Sequence, residues 1–342
     1  ISTIMAALVW MFVPSLLKLL GASLESQSLA RDYLLVLVPF LPPLAIAMTA
    51  TGILRSVGDA KRAMQVTVIG AIVNILLDPF LIFSLHLGIY GAAIASSIAR
   101  LAMLFYALYA IIRFHYKLGL PSLHLILRDW SALTSIAVPA ILTNIATPIG
   151  NAYVTYATAN HGDGAVAGWA IIGRIIPVAF GFIYALSGSI GPIIGQNYGA
   201  REKGRLIEAF TLSLAINAVY VFIVWFVLLL GSNTIIHFFK ASEQTAQLIL
   251  FFCKDLSPLF VFLGFLFVAN AAFNTLGYAH LSTLLNWGRA TIGTIPFVEM
   301  GSRLAGAEGV LLGNMLGAIC FGLTAVWLSY RILSRIDLSK ST

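Results

Sequence analysis

The stretch Leu206–Gly231, LIEAFTLSLAINAVYVFIVWFVLLLG, contains one charged side chain in 26 residues. A hydrocarbon core about 30 Å thick is crossed by roughly 20 apolar residues in an α-helix. Strands of a membrane barrel would instead alternate apolar and polar residues over about ten positions. The continuous apolar run therefore predicts a transmembrane helix rather than a barrel strand.

The composition of the chain extends this prediction to its whole length. Of 342 residues, 60% are hydrophobic and 10% are charged, against roughly 45–50% and about 25% in soluble domains. A soluble globule is excluded, and we expect an all-α polytopic membrane protein embedded in a lipid bilayer. Ten crossings are predicted, at Ile1–Leu20, Tyr33–Leu54, Met64–Phe83, Ile89–Ile112, Leu133–Tyr156, Val166–Gly195, Leu206–Gly231, Ile249–Thr275, Leu281–Val298 and Gly309–Ile332.

The cations in the links between these crossings predict the orientation. One side carries twelve, Arg55, Lys61, Arg62, Arg113, Lys117, Arg128, Arg201, Lys203, Arg205, Arg331, Arg335 and Lys340. The other side carries four, Lys18, Arg31, Lys240 and Arg303. The positive-inside rule makes the first side cytoplasmic, and with it both ends of the chain. Since this bias explains the net charge of +7, no nucleic-acid partner is expected.

An internal repeat predicts a larger architecture. Gly58-Asp59-Ala60 recurs as Gly277-Tyr278-Ala279, 219 residues later. Three further matches lie at offsets of 217–219, namely Ala22-Ser23 with Ala241-Ser242, Gly88-x-x-Gly91 with Gly306-x-x-Gly309, and Pro79 with Pro296. The second copy begins near Ser131, so roughly 90 residues and two helices are expected before Ile1. We expect a twelve-helix parent built from two parallel six-helix repeats.

This repeat defines the expected domain organisation. Residues 1–112 would form an N-terminal lobe that has four helices here and lacks its first two. Residues 113–130 would be a cytoplasmic linker, and 131–334 a complete C-terminal lobe of six helices. Residues 335–342 would be a cytoplasmic tail.

Charged residues within the predicted crossings are the candidates for function, because an isolated charge at mid-bilayer costs about 2.5–3.5 kcal/mol on insertion scales. They are Asp78, Arg100, Arg174, Lys254, Asp255 and Arg289. Asn74 and Asp78 are four residues apart and share one helical face, and Pro79 frees a backbone carbonyl one turn earlier. Such oxygen ligands suit a proton or Na⁺. Alternatively, Asp78 meets interfacial water and Asn74 joins helices.

Other motifs point away from enzymes. No Walker loop, GxGxxG or HExxH occurs in the sequence, so ATP coupling and zinc-hydrolase chemistry have no support. The two cysteines, Cys253 and Cys320, lie in apolar runs and indicate no metal site. We expect no enzyme activity and no cofactor beyond a coupling ion, and transport driven by an ion gradient.

Several runs resemble one family. They are Leu20-Gly-Ala-Ser23, Leu54-Arg-Ser-Val-Gly-Asp-Ala-Lys61, Asn74-Ile-Leu-Leu-Asp-Pro79, Gly88-Ile-Tyr-Gly-Ala-Ala-Ile-Ala95 and Gly191-Pro-Ile-Ile-Gly-Gln-Asn-Tyr-Gly-Ala200. Together they resemble the MATE (multidrug and toxic compound extrusion) transporters, and the Asn-x-x-x-Asp-Pro run resembles the DinF-like branch. The resemblance implies a two-lobe antiporter, in a bacterial inner membrane, that exports organic and often cationic small molecules in exchange for H⁺ or Na⁺. We expect a monomer.

The resemblance also assigns site residues. The coupling ion would bind at Asn74, Asp78 and Ser96, where Ser96 replaces the usual Thr. The family's first-helix Asp has no counterpart, because that helix is absent from the chain. Residues expected to line a central cavity are Tyr33, Tyr153, Tyr156, Tyr184, Arg100 and Arg174, with the tyrosine ring faces able to hold cations.

Two alternatives stay open at this point. On the same fold the chain could flip lipid-linked oligosaccharides, with Arg100 and Arg174 holding the pyrophosphate. It could also be a truncated product that transports nothing. The residues alone favour structural roles, in which Arg100 packs toward the bundle with a snorkelling head group and Arg174 pairs locally or with a lipid phosphate.

Overall fold

The computed structural model describes residues 2–19, 24–115 and 122–336, and all regular structure in those ranges is helical. The chain divides into two compact units, Ile1–Pro121 and Ser122–Thr342. This division falls within the segment 113–130 that was predicted as a linker. Residues 116–121 of that segment, Ala22-Ser23 of the predicted repeat and residues 337–342 of the predicted tail lie outside the described residues.

The first unit is a small helical bundle. Its elements are α1 (Ser2–Leu19), α2 (Leu24–Leu37), the 3₁₀ turn Val38–Phe40, α3 (Leu41–Ser56), α4 (Ala60–Pro79), the π turn Phe80–Ser84 and α5 (Gly88–Phe114). Helix α5 packs against α2, α3 and α4. The contact surfaces are lined with small side chains, including buried Ala47, Ala63 and Ala107. Small residues let helix backbones approach closely, which holds membrane bundles together.

The second unit contains eight α-helices among its described residues. They are α6 (Leu123–Ala159), α7 (Asp163–Ala179), α8 (Gly181–Gly199), α9 (Lys203–Phe238), α10 (Glu243–Phe251), α11 (Phe260–Thr275), α12 (Ala279–Ala290) and α13 (Ile295–Arg335). A π turn, Phe252–Leu256, and a 3₁₀ turn, Ser257–Leu259, join α10 to α11. The rings of Phe180 and Phe260 stack at 4.2 Å between centroids in one of its two apolar cores.

Seven helical segments in the described residues are long and apolar enough to cross a membrane, or eight if α7 and α8, bent by 43°, form one crossing. Ten crossings were predicted, and that number stays a prediction. Two places account for the difference. The apolar helix Ser2–Ser15 is shorter than a full span, and the single segment Ala279–Arg335 contains two predicted crossings.

Helix α13 is a hairpin rather than one straight helix. Ala305 (φ −140°) and Gly306 (φ +58°) leave the helical conformation. Three glycines after the break lie directly against the backbone before it, so that a Cβ on any of them would overlap that backbone. The facing pairs are Gly309 with Gly301, Gly313 with Phe297, and Gly317 with Gly293. Pairs that lie farther from the break are also farther apart in sequence, so the two arms run antiparallel in close contact.

The two units repeat the same local structure at an offset of 219 residues. Helices α3 and α11 have 16 residues each, and each follows a 3₁₀ turn of three residues with proline at its centre. Each helix then ends in a turn whose glycine, Gly58 or Gly277, has φ +85°, a conformation that glycine adopts at little cost. The local repeat is thus present, whereas the twelve-helix total stays a prediction.

Candidate functional site

A cluster of polar side chains lies between α4 and α5 in the first unit. Nδ2 of Asn74 donates to Oδ1 of Asp78 at 3.3 Å and to Oγ of Ser96 at 3.5 Å. All three residues are half-buried. The structure therefore brings together the three residues that the sequence predicted as an ion site, and we call them the Asn74 cluster.

Local geometry explains why these residues meet. Asn74 and Asp78 are one helical turn apart, so their side chains lie on the same face of α4. The α4–α5 connection is tight, because a Cβ on Gly91 would lie 2.8 Å from the carbonyl oxygen of Leu81. That close approach fixes α5 against the chain just after Pro79 and places Ser96 at the level of Asn74.

The Asn74 cluster offers a carboxylate, an amide and a hydroxyl. Carboxylate, amide and hydroxyl oxygens are hard ligands of the kind that alkali and alkaline-earth cations prefer, and a carboxylate also accepts a proton. The Asn74 amide presents its N–H to Asp78, which is the hydrogen bond that a charged carboxylate accepts. A proton or Na⁺ arriving at Asp78 would compete with this bond.

Two of the predicted cavity residues lie in the same unit. Nη1 of Arg100 donates to the backbone carbonyl of Leu37, near the end of α2, at 3.1 Å. Arg100 and Tyr33 are both half-buried. Arg100 thus has a local partner on the neighbouring helix, and a role for either residue in a central cavity stays a prediction.

The second unit contains a cavity of about 200 Å³ that includes Arg289. Arg289 lies in the last turn of α12 and is 6% exposed. Its Nη2 donates to Oγ1 of Thr147 at 3.0 Å, while its buried Nε has no hydrogen-bond partner among the described residues. Tyr184 and buried Asn314 also line the cavity. We call this the Arg289 cavity.

Other predicted cavity residues of this unit lie elsewhere. Tyr153 is half-buried and its ring centroid lies 6.4 Å from that of Tyr156, which is 66% exposed. Arg174 is exposed and borders a separate apolar groove with Val178 and Tyr220. Of Tyr153, Tyr156, Arg174 and Tyr184, Tyr184 alone lines the Arg289 cavity. A role for the other three in a central cavity stays a prediction.

A third charged cluster lies outside the membrane-spanning segments, at the turn between α3 and α4. Oδ2 of Asp59 lies 2.5 Å from Nη1 of Arg62 and 2.5 Å from Nε2 of His115. Oδ1 of Asp59 also accepts from the backbone N–H of Arg62 at 3.1 Å, which caps α4. The hydrogen bond from the Arg62 side chain, followed by that from His115, holds the pKa of Asp59 well below its ordinary value of 3.8.

The role of Arg289 was missed from the sequence, although it was noted as a charge within a crossing. The sequence contained one signal. The positions three and four residues from Arg289 on the same helix face are Leu285, Asn286, Ile292 and Gly293, and none of them is Asp or Glu. A local ion pair was therefore already excluded at those positions. Its enclosure could not be foreseen, because no pattern within one helix indicates that Thr147 of α6, Arg289 of α12 and Asn314 of α13 line the same cavity.

Comparison with known proteins identifies the family. The MatE family model matches residues 1–80 and 139–298. The chain belongs to the MatE family. A MatE chain is a multi-pass membrane transporter of all-helical fold, so the family supports transport rather than catalysis. The resemblance to MATE transporters is confirmed at this level, and the DinF-like branch stays a prediction.

Relatives of this MatE chain are bacterial transporters. An FAD transporter of Shewanella oneidensis is 30% identical over 334 residues, which cover 96% of this chain and 74% of the relative. The multidrug export protein MepA of Staphylococcus haemolyticus is 23% identical over 99% of this chain and 75% of its own length. The solved structure of a mutant of the Vibrio cholerae MATE transporter VcmN matches 98% of this chain and 77% of its own, with a TM-score of 0.88 at 23% identity. That structural likeness shows the fold.

Proposed function

We propose that this protein is a secondary active antiporter that exports organic small molecules in exchange for H⁺ or Na⁺. Asp78 is the ion-binding carboxylate, and Asn74 and Ser96 are its partners. The observation that carries the proposal is the Asn74 cluster, in which three polar side chains from two helices meet within a membrane-spanning segment. Ionisable groups in such positions are functional by default, because their placement in the bilayer is costly.

The proposed mechanism follows from the charge of Asp78. An unloaded carboxylate attracts a cationic group and repels an anionic one, whereas a carboxylate that holds a proton or Na⁺ does neither. Loading at Oδ1 would compete with the hydrogen bond from Asn74, which that oxygen accepts. An ion shifts the balance between outward-facing and inward-facing states only by its difference in affinity for the two. We place this cycle in a twelve-helix, DinF-like transporter of a bacterial inner membrane, acting as a monomer with both ends of this chain in the cytoplasm.

The names of the relatives guide the choice of substrate to be tested. One relative is named an FAD transporter and another a multidrug export protein. Both names describe transport of organic small molecules, and neither describes a flippase. Arg100 bonds a backbone carbonyl and Arg174 borders an apolar groove, so no observed geometry favours a pyrophosphate clamp. We therefore do not propose the flippase alternative.

The test is Asp78→Asn in the full-length gene product, expressed in cells that lack their own exporters. The probes are ethidium and FAD, and the readout is efflux driven by an imposed H⁺ or Na⁺ gradient. We expect the substitution to lower gradient-driven efflux by at least about tenfold, equivalent to 1.4 kcal/mol. The control is Glu202→Gln, which removes an exposed carboxylate between α8 and α9, outside the membrane-spanning segments, and should leave efflux unchanged. Unchanged efflux in Asp78→Asn would refute the proposal.

A further inference from the structure

The guanidinium of Arg289 carries a permanent charge and has few hydrogen-bond partners among the described residues. A guanidinium offers five N–H donors in a planar fork and stays protonated in proteins. In this chain Nη2 bonds Thr147, Nε is buried without a partner, and the residue is 6% exposed. A buried charge is costly unless it is paired and hydrogen-bonded. The position therefore requires either a structural compensation or a ligand.

The walls of the Arg289 cavity do not neutralise this charge. Among the described residues that line the cavity, the polar ones are neutral and include Thr147, Asn151 and Asn314, and none is an acid. Much of the remaining wall is aromatic, with Trp169, Tyr184, Phe260 and Phe267. The cavity therefore combines one fixed positive charge with apolar, ring-shaped surfaces.

A structural role at the end of α12 does not account for the charge. Arg289 lies in the last helical turn, where the helix dipole favours a cation. Its own carbonyl is already satisfied, because it accepts from Oγ1 of Thr294 at 2.8 Å. The dipole effect is smaller than the desolvation cost of a buried ion. The dipole does not supply a hydrogen bond to Nε, so the charge still lacks an anionic partner among the described residues.

We propose that the Arg289 cavity binds the acidic group of an organic anion, a carboxylate or phosphate, with an apolar ring held against the aromatic wall. Arg289 pairs with the oxygens of the acidic group, since a guanidinium forms charge-assisted and often bidentate hydrogen bonds to carboxylate and phosphate. The volume of about 200 Å³ lies below the range of about 300–1,000 Å³ that encloses a drug-sized ligand. The cavity therefore takes one ring and its acidic group rather than a whole large molecule.

This inference adds a substrate class to the proposed function. The binding of the anion does not depend on that function, whereas its transport after binding does. Two sources supply the same oxyanion chemistry. One is a free organic anion, which would be a transported compound. The other is the phosphate of a lipid head group. Binding to purified protein can be measured without any ion gradient, so it is separable from the coupling role of Asp78.

The first experiment uses the unmodified full-length protein in detergent and calorimetric titration with phenyl phosphate. The matched probe is benzyl alcohol, which has the same ring and no charge. We expect phenyl phosphate to bind at least about tenfold more tightly, equivalent to 1.4 kcal/mol. Equal affinities, or no binding of phenyl phosphate, would overturn the proposal. No substitution is involved, so the result does not depend on whether a variant folds.

The second experiment compares Arg289→Gln with Arg303→Gln, whose arginine is 77% exposed, pairs with Glu299 and lies outside the cavity. Arg289→Gln should weaken phenyl phosphate binding by at least about tenfold and leave benzyl alcohol binding unchanged. Arg303→Gln should keep the affinity of the unmodified protein. Without ligand, Arg289→Gln should unfold at the same temperature as the unmodified protein or higher, because an uncompensated buried charge is removed. Retained phenyl phosphate affinity in Arg289→Gln would overturn the proposal.

The third experiment separates the two sources of the anion. The titration is repeated in lipid-free detergent and in phosphatidylcholine nanodiscs, because the head group of that lipid carries a phosphate but no net charge. Weaker phenyl phosphate binding in the discs, with no such difference in Arg289→Gln, assigns the site to a lipid phosphate. Equal binding in the two settings assigns it to a free organic anion. Asp78→Asn should bind phenyl phosphate normally, so failure of the antiport proposal and failure of this one give different results.

Discussion

Asn74 donates a hydrogen bond to Asp78 across 3.3 Å, one turn along the same helix, and the same amide nitrogen lies 3.5 Å from the hydroxyl of Ser96 on α5. One amide group thus links two helices and the carboxylate between them. An ion that binds Oδ1 of Asp78 competes with this link, so loading at that oxygen is connected to the contact between α4 and α5.

Removal of the Ser96 hydroxyl should weaken ion binding. A neutral hydrogen bond contributes about 0.5–1.5 kcal/mol, so Ser96→Ala should raise the ion concentration for half-maximal transport roughly two- to twelvefold. Ser96→Thr keeps the hydroxyl and should stay close to the unmodified protein. The control is Ser97→Ala, whose hydroxyl donates to the backbone carbonyls of Ala93 and Val36 and does not bond the Asn74 cluster. An equal effect of Ser96→Ala and Ser97→Ala on ion-dependent transport would show that Ser96 has no special role.

The hairpin in α13 should tolerate no side chain at its contact points. A Cβ on Gly317 would overlap the backbone of Gly293, so Gly317→Ala should lower stability by about 1–3 kcal/mol through overpacking. Gly231 in α9 has no atom within 4 Å of its would-be Cβ. Gly231→Ala should therefore be neutral or gain about 0.5–1 kcal/mol. Thermal unfolding in detergent checks both variants, and similar midpoints for the two would contradict the close packing of the hairpin arms.

The charge of Asp59 should stabilise the α3–α4 turn in a pH-dependent way. Its pKa is lowered in the folded protein, first by Arg62 and then by His115. The stabilisation is therefore present above the ordinary pKa of 3.8 and is lost as the pH falls through the lower folded value. Asp59→Asn should reduce the unfolding temperature at pH 7, and this difference should shrink as the pH falls below 3.8.

Asparagine also caps helices well, so the Asp59→Asn substitution tests the charge rather than the cap. The control is Asp129→Asn, whose carboxylate is 65% exposed and pairs with the adjacent Arg128. Exposed pairs contribute little to stability, so this variant should follow the unmodified protein at every pH. A gap for Asp59→Asn that stays constant between pH 7 and pH 3 would contradict the role of its charge.

Much of the fold could be predicted because it depends on local patterns. Apolar runs define membrane helices whatever their neighbours, and the spacing of Asn74 and Asp78 fixes their shared face by helix geometry alone. The turn at Gly58 recurs at Gly277 because the same short pattern needs a glycine with positive φ. The prediction that Ser96 lies beside Asn74 and Asp78 had a different basis, since it came from the family resemblance and not from spacing.

The remaining features depend on contacts between distant segments. The predicted crossing Val166–Gly195 contains a 43° bend between α7 and α8, and Ile249–Thr275 is interrupted by a π turn and a 3₁₀ turn. Hydropathy is the same on both sides of such breaks, so it does not reveal them. The Arg289 cavity similarly joins residues of α6, α12 and α13, and no periodicity within one helix reports that meeting.

The central claim is that Asp78 carries the coupling ion. The most direct measurement is ion counterflow in proteoliposomes that contain the full-length protein, started by adding ethidium or FAD on one side and followed with H⁺- and Na⁺-sensitive dyes. We predict counterflow of one of the two ions in the unmodified protein and in Glu202→Gln, and none above background in Asp78→Asn. Counterflow in Asp78→Asn at the rate of the unmodified protein would contradict the account.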